Sequence, residues 1–165
     1  MFKNKNLPLL AFGTLLLLFA CQQSPTKSWQ PLDLLKYGVP ITIMAPDSAK
    51  VKTMDLLVQK DVTIKKGEDY YVQIFSSDAT TSDHKKILAE LKADVKNNPY
   101  FSKFLLEEDK GFIYETVIDS THYNYGFRHI RIQGDREYIF QTGLIGNFDQ
   151  EQVEAMYDAV QPTTK

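Results

Sequence analysis

Two groups of ionisable residues in this sequence could perform acid–base chemistry. Asp119 and His122 flank one turn, so their side chains could pair or bind a metal weakly. Three glutamates, Glu107, Glu108 and Glu115, could supply the two facing carboxylates that glycoside hydrolysis requires. Because consecutive strand residues point to opposite faces, Glu107 and Glu108 would not face each other. A small hydrolase is therefore one functional hypothesis, and a solvated turn is the structural alternative for Asp119 and His122.

Other signatures of catalysis are not found in the printed sequence. Cys21 is the single cysteine, so an intramolecular disulfide and a cysteine-cluster zinc site are excluded. The serines do not lie in a G-x-S-x-G pattern. The chain has no H-E-x-x-H motif, EF-hand loop or nucleotide-binding glycine pattern. The leading hypothesis therefore assigns no catalytic residue, no metal and no cofactor.

Aromatic and basic residues alternate along the segment YNYGFRHIR. In a strand, alternation places five of them on one face and Arg128 and Ile130 on the other, unless a bulge at Gly126 exchanges the faces. The five residues are Tyr123, Tyr125, Phe127, His129 and Arg131.

This face could bind a peptide, a glycan or a partner protein through aromatic stacking and arginine contacts. Tyr114 and Tyr138, on the neighbouring predicted strands, could extend the aromatic surface. The structural alternative is that Phe127 and its apolar neighbours pack under a helix while the arginine and histidine side chains face water.

The first 21 residues have the features of an export signal. Lys3 and Lys5 precede an uncharged apolar run over residues 7–19, and Ala20 then precedes Cys21. A helix of this length spans about 20 Å, short of the ~30 Å hydrocarbon core of a bilayer. We therefore predict that residues 1–20 are a signal peptide rather than a permanent membrane span.

The segment Leu18-Phe19-Ala20-Cys21 resembles the bacterial lipobox. The resemblance implies that Cys21 carries a thioether-linked diacylglycerol, that the chain is cut before it, and that its new amino terminus is acylated. Two or more acyl chains, at about 0.8 kcal/mol per buried CH₂, hold a protein almost permanently at a membrane. Gln22 differs from the acidic residue that retains some lipoproteins, which favours the outer membrane. The alternative for Cys21 is a buried apolar residue or a free thiol.

The charge of the chain argues against two classes of partner. Loss of residues 1–20 would leave 17 basic and 21 acidic residues, a net charge of −4. Nucleic-acid binding needs clustered Lys and Arg, so we expect no nucleic-acid partner. By the same reasoning, attraction to anionic lipid is unexpected, and membrane association should come from the lipid on Cys21 alone.

The length of 165 residues fits one domain after the signal. We predict a signal peptide over residues 1–20, a lipidated Cys with a flexible tether over 21–37, and a single domain over 38–162. The tether prediction rests on the polar segment QQSPTKSWQ. Trp29, the only tryptophan, would pack on the domain edge or lie at the membrane interface.

Apolar periodicity divides the domain into strands and helices. Short alternating segments precede and follow a helix over residues 81–98, for which Thr81 or Ser82 would be the N-cap. A second helix begins after Asp149, which would form a capping box with Gln152. The order strands–helix–strands–helix predicts an α+β fold, with an antiparallel sheet of six to seven strands and two main amphipathic helices packed on it.

Over residues 39–161 this order resembles the PsbP-like fold, in which strands, a helix, a central meander and a C-terminal helix recur. The segments GFIYET and EQVEAMYDAV also look like those of a group of small bacterial envelope lipoproteins without an assigned activity. The resemblance implies a fold and no catalytic residue. The leading hypothesis is a lipid-anchored envelope binding or assembly module without catalysis, and the alternative is the small envelope hydrolase.

Replacing Cys21 by Ala should remove the lipid, so the protein should move from the detergent phase to the aqueous phase in a phase-partition assay. The control Ser24→Ala, three residues further along the chain, should partition as the wild type does. Unchanged partitioning of Cys21→Ala, or a native polypeptide with a free thiol in mass spectrometry, would refute lipidation.

Overall fold

The computed structural model describes residues 28–119 and 121–162. Within them, the chain forms a 3-10 helix (Leu35–Tyr37) together with the following elements. These are β1 (Trp29–Asp33), β2 (Thr42–Pro46), β3 (Lys50–Leu56), β4 (Gln59–Lys66), β5 (Tyr70–Asp78), α1 (His84–Lys96), β6 (Phe101–Glu108), β7 (Gly111–Val117), β8 (Tyr123–Gln133), β9 (Arg136–Thr142) and α2 (Gln150–Val160). The signal segment and Cys21 lie outside the described residues.

Seven of these strands form one antiparallel sheet in the order β3-β4-β5-β9-β8-β7-β6. Strands β1 and β2 pair with each other in a separate two-stranded ribbon. Helix α1 lies between the two groups of strands in the chain, and α2 follows the last strand. The predicted α+β fold and its order of elements are therefore confirmed.

Helix α2 and the β1–β2 ribbon cover one side of the sheet, which we call the α2 face. Alternate residues of each strand point to this side because Cβ atoms alternate along a strand. In β4, for example, Val62 and Ile64 are buried here while Thr63 and Lys65 point to the other side. Buried residues of this core include Ile43, Val62, Ile64, Val72, Ile74, Ile113, Phe127, Phe140, Val153, Met156, Tyr157 and Val160.

Helix α1 covers only part of the opposite side, the α1 face. Its buried residues Ile87, Leu88 and Val95 pack with Phe112 of β7 and Ile130 of β8. The partly buried residues around this cluster come from α1, β6, β7, β8 and β9. The α1 face of β3, β4 and β5 is therefore left without a helix above it.

The two helices begin at side-chain caps. The N-cap of α1 is Asp83, whose Oδ1 accepts hydrogen bonds from the backbone N–H of Lys85 and Lys86, rather than the predicted Thr81 or Ser82. Asp has the carboxylate that the positive end of a helix favours, which explains the difference. The capping box predicted for Asp149 and Gln152 is present in α2.

The folded part begins before the predicted boundary at residue 38. Residues of β1 pair with β2, and Leu34 is completely buried. The Trp29 ring packs edge-on against Tyr70 with 5.0 Å between ring centroids. Residues 29–37 are thus not part of a flexible tether, because Leu34 and Trp29 gain apolar contacts in the core. Neither α1 nor α2, the two α-helices among the described residues, has the length and apolar character of a membrane-spanning helix.

Candidate functional site

The side chains of β8 alternate between the two faces of the sheet as predicted. However, α2 covers the face that includes Phe127 and His129. Phe127 lies under α2, with its ring 5.8 Å from that of Tyr157. His129 points to the same side, and Ile130 packs on the α1 side. Phe127 is completely buried and His129 is only 3% exposed. The side chains at the centre of the predicted face therefore form core contacts, not an open groove.

His129 and Arg131 belong to the packing of α2. The His129 ring lies between Phe140 and Tyr157, at 5.7 and 5.8 Å. Burial lowers the pKa of His129 to about 4, and the nearby positive charges of Arg131 and Lys110 act in the same direction. The interpretation that this histidine faces water is therefore wrong.

Arg131 holds the end of α2. Its guanidinium donates a hydrogen bond of 2.8 Å to the carbonyl of Val160, in the last turn of the helix. It also lies 5.5 Å from the centroid of the Phe140 ring, and burial lowers its pKa. A cation at this end of a helix stabilises carbonyls that lack intrahelical partners.

The remaining residues of the predicted face lie near the start of β8. Tyr123 is exposed and Tyr125 is partly buried, with burial as the first cause of a raised Tyr125 pKa and the charge of Glu115 as the second. The register of β8 with β7 runs through Gly126 without a bulge. A Cβ on Gly126 would instead lie 2.6 Å from Cζ of Tyr114. The glycine therefore allows the Tyr114 ring to cross the strand.

The two tyrosines expected to extend an aromatic surface lie on opposite sides of the sheet. Tyr138 is buried in the core of the α2 face. Tyr114 lies on the α1 face, where its hydroxyl accepts a hydrogen bond of 3.3 Å from Arg128. Tyr114 and Arg128, together with Asn124 and Gly143, line a polar groove of about 220 Å³ at the end of the sheet.

Asp119 and His122 do pair, within the turn between β7 and β8. His122 Nδ1 lies 2.7 Å from Oδ2 of Asp119, and both side chains are exposed. Oδ1 of Asp119 also accepts hydrogen bonds from the backbone N–H of Thr121 and of His122. The Thr121 hydrogen bond is the first cause, and the His122 contact the second, of a lowered Asp119 pKa. Asp119 therefore closes a turn and is made a weaker base.

The three glutamates do not converge. Glu107 pairs with a lysine of α1 at 2.7 Å, whereas Glu108 accepts a 2.8 Å hydrogen bond from Tyr157 of α2. Glu108 lies opposite Gly111, which is four residues along β7 from Glu115. Four residues of a strand span about 13 Å, more than the roughly 6.5–9.5 Å between the carboxyl groups of inverting glycosidases. These positions do not form a facing acid–base pair.

A cleft lined by lysines lies on the uncovered α1 face of β3, β4 and β5. Its volume is about 570 Å³. We call it the lysine cleft, and its lining includes Lys50, Lys52, Thr63, Lys65, Lys66 and Tyr71.

The register of three strands assembles this cleft. Lys50 lies directly opposite Lys65, and Lys65 lies directly opposite Tyr71. Facing residues of antiparallel strands have Cβ atoms about 4.5–5.5 Å apart, so these two lysine side chains leave the sheet as direct neighbours. Lys52 lies on the same side as Lys50, two residues further along β3.

The charges of the cleft are poorly compensated. Within the described residues, Glu68 is the only carboxylate within 4 Å of a cleft lysine, at 3.8 Å from Lys65, and it is largely exposed. Lys66 donates a hydrogen bond of 2.8 Å to the Ser48 hydroxyl, which is neutral. The Lys65 ammonium lies 5.3 Å from the centroid of the Tyr71 ring. Like charges placed opposite each other destabilise a sheet, so this arrangement carries an energetic cost.

The Tyr71 ring forms one wall of the cleft, and it packs against Gly143 at a position where only a residue without a side chain fits. The backbone N–H of Gly143 donates a 2.9 Å hydrogen bond to the Tyr71 carbonyl, and a Cβ on Gly143 would overlap the Tyr71 ring. Gly143 also lines the polar groove that contains Tyr114 and Arg128. The lysine cleft and the polar groove therefore adjoin at Tyr71.

The positions of the lysines within β3 and β4 could have indicated the cleft, although the overall composition of the chain does not. The pattern K-V-K in β3 and Lys65 in β4 place lysines where alternation points them away from the core. Lys66, at the end of β4, lines the same cleft although alternation does not predict it. The pairing register makes these lysines neighbours, whereas the net charge of the whole chain does not reveal a local cluster of them.

In the described part of the chain, no group of three or more His, Cys, Asp or Glu side chains is placed to hold a metal ion.

Comparison with known proteins adds no assignment. The chain matches no model of a protein family and no curated protein sequence. Its fold and its surface chemistry are therefore the basis for a functional proposal.

We expect His129 to make the fold sensitive to acid. The folded state keeps the ring neutral down to about pH 4, whereas the unfolded chain binds a proton near pH 6.5. The free energy of unfolding should therefore fall as the pH drops through this window, by about 3 kcal/mol for the full shift, and be unaffected above it. Urea denaturation at several pH values would measure the slope.

The variant His129→Phe keeps an aromatic ring between Phe140 and Tyr157 and should lose most of this pH dependence. The control His84→Gln, at the first residue of α1, should retain it. A slope unchanged in His129→Phe would contradict the assignment.

We expect Gly143→Ala to destabilise the protein by about 1–3 kcal/mol, because the added methyl overlaps the Tyr71 ring. Chemical denaturation of Gly143→Ala, Tyr71→Ala and the double variant would give the coupling free energy, expected to be about 1 kcal/mol or more. The same glycine substitution combined with Tyr37→Ala, at a partly buried tyrosine outside the cleft, should be additive. Additivity with Tyr71→Ala would disprove the contact.

Proposed function

We propose that this chain is an exported, lipid-anchored binding module of the bacterial envelope that holds an anionic ligand in the lysine cleft without catalysing a reaction. The anchor is Cys21, acylated after removal of residues 1–20, and the membrane is the outer membrane. A relationship to PsbP-like domains and to small envelope lipoproteins is part of the same proposal. The observed α+β order is compatible with this relationship.

The observation that carries the proposal is the pairing of Lys50 with Lys65 beside Lys52 and Lys66. An anion in the cleft would replace repulsion between ammonium groups by charge-assisted hydrogen bonds, which are about twice as strong as neutral ones. Binding would therefore recover the cost of placing these lysines opposite each other. Sites that serve function commonly lower stability in this way.

Ligand chemistry follows from the walls of the cleft. Ammonium groups recognise carboxylates and phosphates as point charges, and the Tyr71 ring offers an apolar surface for a sugar or a side chain. A glycan, peptide or envelope protein that carries acidic groups fits these walls. The adjoining groove with Arg128 and Tyr114 could contact a longer ligand.

The competing hydrolase hypothesis rests on the Asp119–His122 pair, at 2.7 Å. The pair lies in the β7–β8 turn, and strands β9 and β8 separate the cleft strand β5 from β7. If Asp119→Ala/His122→Ala abolished the cellular phenotype while the cleft lysines were dispensable, the hydrolase would be the better explanation.

The double variant Lys50→Gln/Lys65→Gln should bind inorganic pyrophosphate, used as a dianionic or more highly charged probe, at least tenfold more weakly than the wild type in isothermal titration calorimetry. It should also be slightly more stable to urea, by about 0.5 kcal/mol, because the facing charges are gone. Wild-type affinity should fall as salt is added.

The matched control is Lys85→Gln/Lys86→Gln on the exposed side of α1, which removes the same net charge. Its affinity for pyrophosphate should stay within about twofold of the wild type. Equal weakening by both double variants would show that overall charge, rather than the cleft, attracts the anion.

A further inference from the structure

The lysine cleft, an exposed apolar loop and the start of the described chain lie at one end of the sheet. Lys65 pairs with Tyr71, and Thr142, the last residue of β9, pairs with Val72. Gly143 then bonds to Tyr71, so the loop after β9 leaves the sheet directly beside the cleft.

This loop presents two large apolar side chains to solvent. Leu144 is 75% exposed and Ile145 is 83% exposed. Single exposed apolar residues are common on protein surfaces, but two adjacent ones beside a cluster of lysines match the composition of surfaces that lie in a membrane interface.

The chain enters the fold at the same end. Trp29 packs on Tyr70, the neighbour of Tyr71 in β5. Trp29 is the eighth residue after Cys21, and eight steps along the chain span at most about 28 Å. With lipid on Cys21, Trp29 must stay within about 28 Å of the anchor, so the end of the sheet that carries it is the end that can reach the bilayer surface.

We propose that this end of the domain rests on the bilayer that holds the anchor, with the phosphates of anionic lipids as the partner of the lysine cleft and with Leu144 and Ile145 among the headgroups. The inference rests on the proposed lipid anchor and on anion binding in the cleft. It names the partner of that same site.

Charge complementarity decides between this face and others. The net charge of −4 predicts no attraction to anionic lipid, but surface attraction falls off within a Debye length of about 8–10 Å and so depends on the nearest charges. Lys50, Lys65 and Lys66 would be among the nearest. Acidic residues lie at this end too. Glu68 is held toward Lys65, at 3.8 Å, and Asp69 of the same turn accepts a hydrogen bond of 3.0 Å from Gln152, in the first turn of α2.

The opposite end of the same sheet supplies a matched control surface. The turn between β3 and β4 exposes Leu57 and Val58, which are as apolar as the Leu144 loop. Leu56 is six residues along β3 from Lys50, or about 20 Å. Exposure of apolar side chains alone would favour either end, whereas the anchor and the lysines favour only one.

The test uses the full lipidated chain, in which the Cys21 sulfur is alkylated and cannot react. Ile145→Cys and Leu57→Cys are each labelled with an environment-sensitive fluorophore and reconstituted into phosphatidylcholine vesicles with or without phosphatidylglycerol. The label at residue 145 should shift to shorter wavelength and be quenched several-fold more by spin-labelled lipid than the label at 57. Phosphatidylglycerol should strengthen this difference.

The lysines are tested in the Ile145→Cys background. Lys50→Gln/Lys65→Gln/Lys66→Gln should lose the effect of phosphatidylglycerol, while Lys85→Gln/Lys86→Gln should keep it. A label at 145 that is quenched equally with and without phosphatidylglycerol would overturn the role of anionic headgroups.

Two failures have different meanings. If the protein floats with the vesicles but the labels at 145 and 57 behave alike, the orientation is overturned, and the cleft remains an anion site if it still binds pyrophosphate. If the lipidated preparation does not float with vesicles at all, the anchor itself is disproved and the orientation with it.

Discussion

The pairing register of β3, β4 and β5 is the constraint on which both the core and the surface of this protein depend. In β4, Val62 and Ile64 point into the core and Thr63 and Lys65 point away from it. Because side chains alternate with a period of two, a shift of one residue would bury Lys65 and expose Ile64. The burial that holds the sheet together therefore also fixes where the cleft lysines lie.

The two helices divide the sheet unequally, and this division determines which residues remain available. Helix α2 and the β1–β2 ribbon close one side, where Phe127 and His129 become part of the core. Helix α1 covers the other side only over the half that contains β6 to β9. The uncovered half is the part that carries the lysines, next to a loop with exposed apolar residues.

Local charge and total charge lead to opposite expectations for this chain. The total is acidic, yet four lysines line one cleft with a single carboxylate within 4 Å among the described residues. Attraction between charges is screened within about 10 Å in salt solution, so the arrangement of nearby groups matters more than their sum. A surface of this kind can attract anions even though the molecule as a whole repels them.

The sequence by itself determined the order of strands and helices, the capping box at Asp149 and the alternation in β8, because these depend on residues close together in the chain. It also supplied the export and lipid hypothesis, which rests on residues outside the described structure. Only the tertiary structure decided that α2 covers Phe127 and His129, that residues 29–37 join the fold, and that Lys50 meets Lys65 across two strands. These outcomes depend on which elements pack together, and side-chain periodicity shows that a face is apolar without showing what covers it.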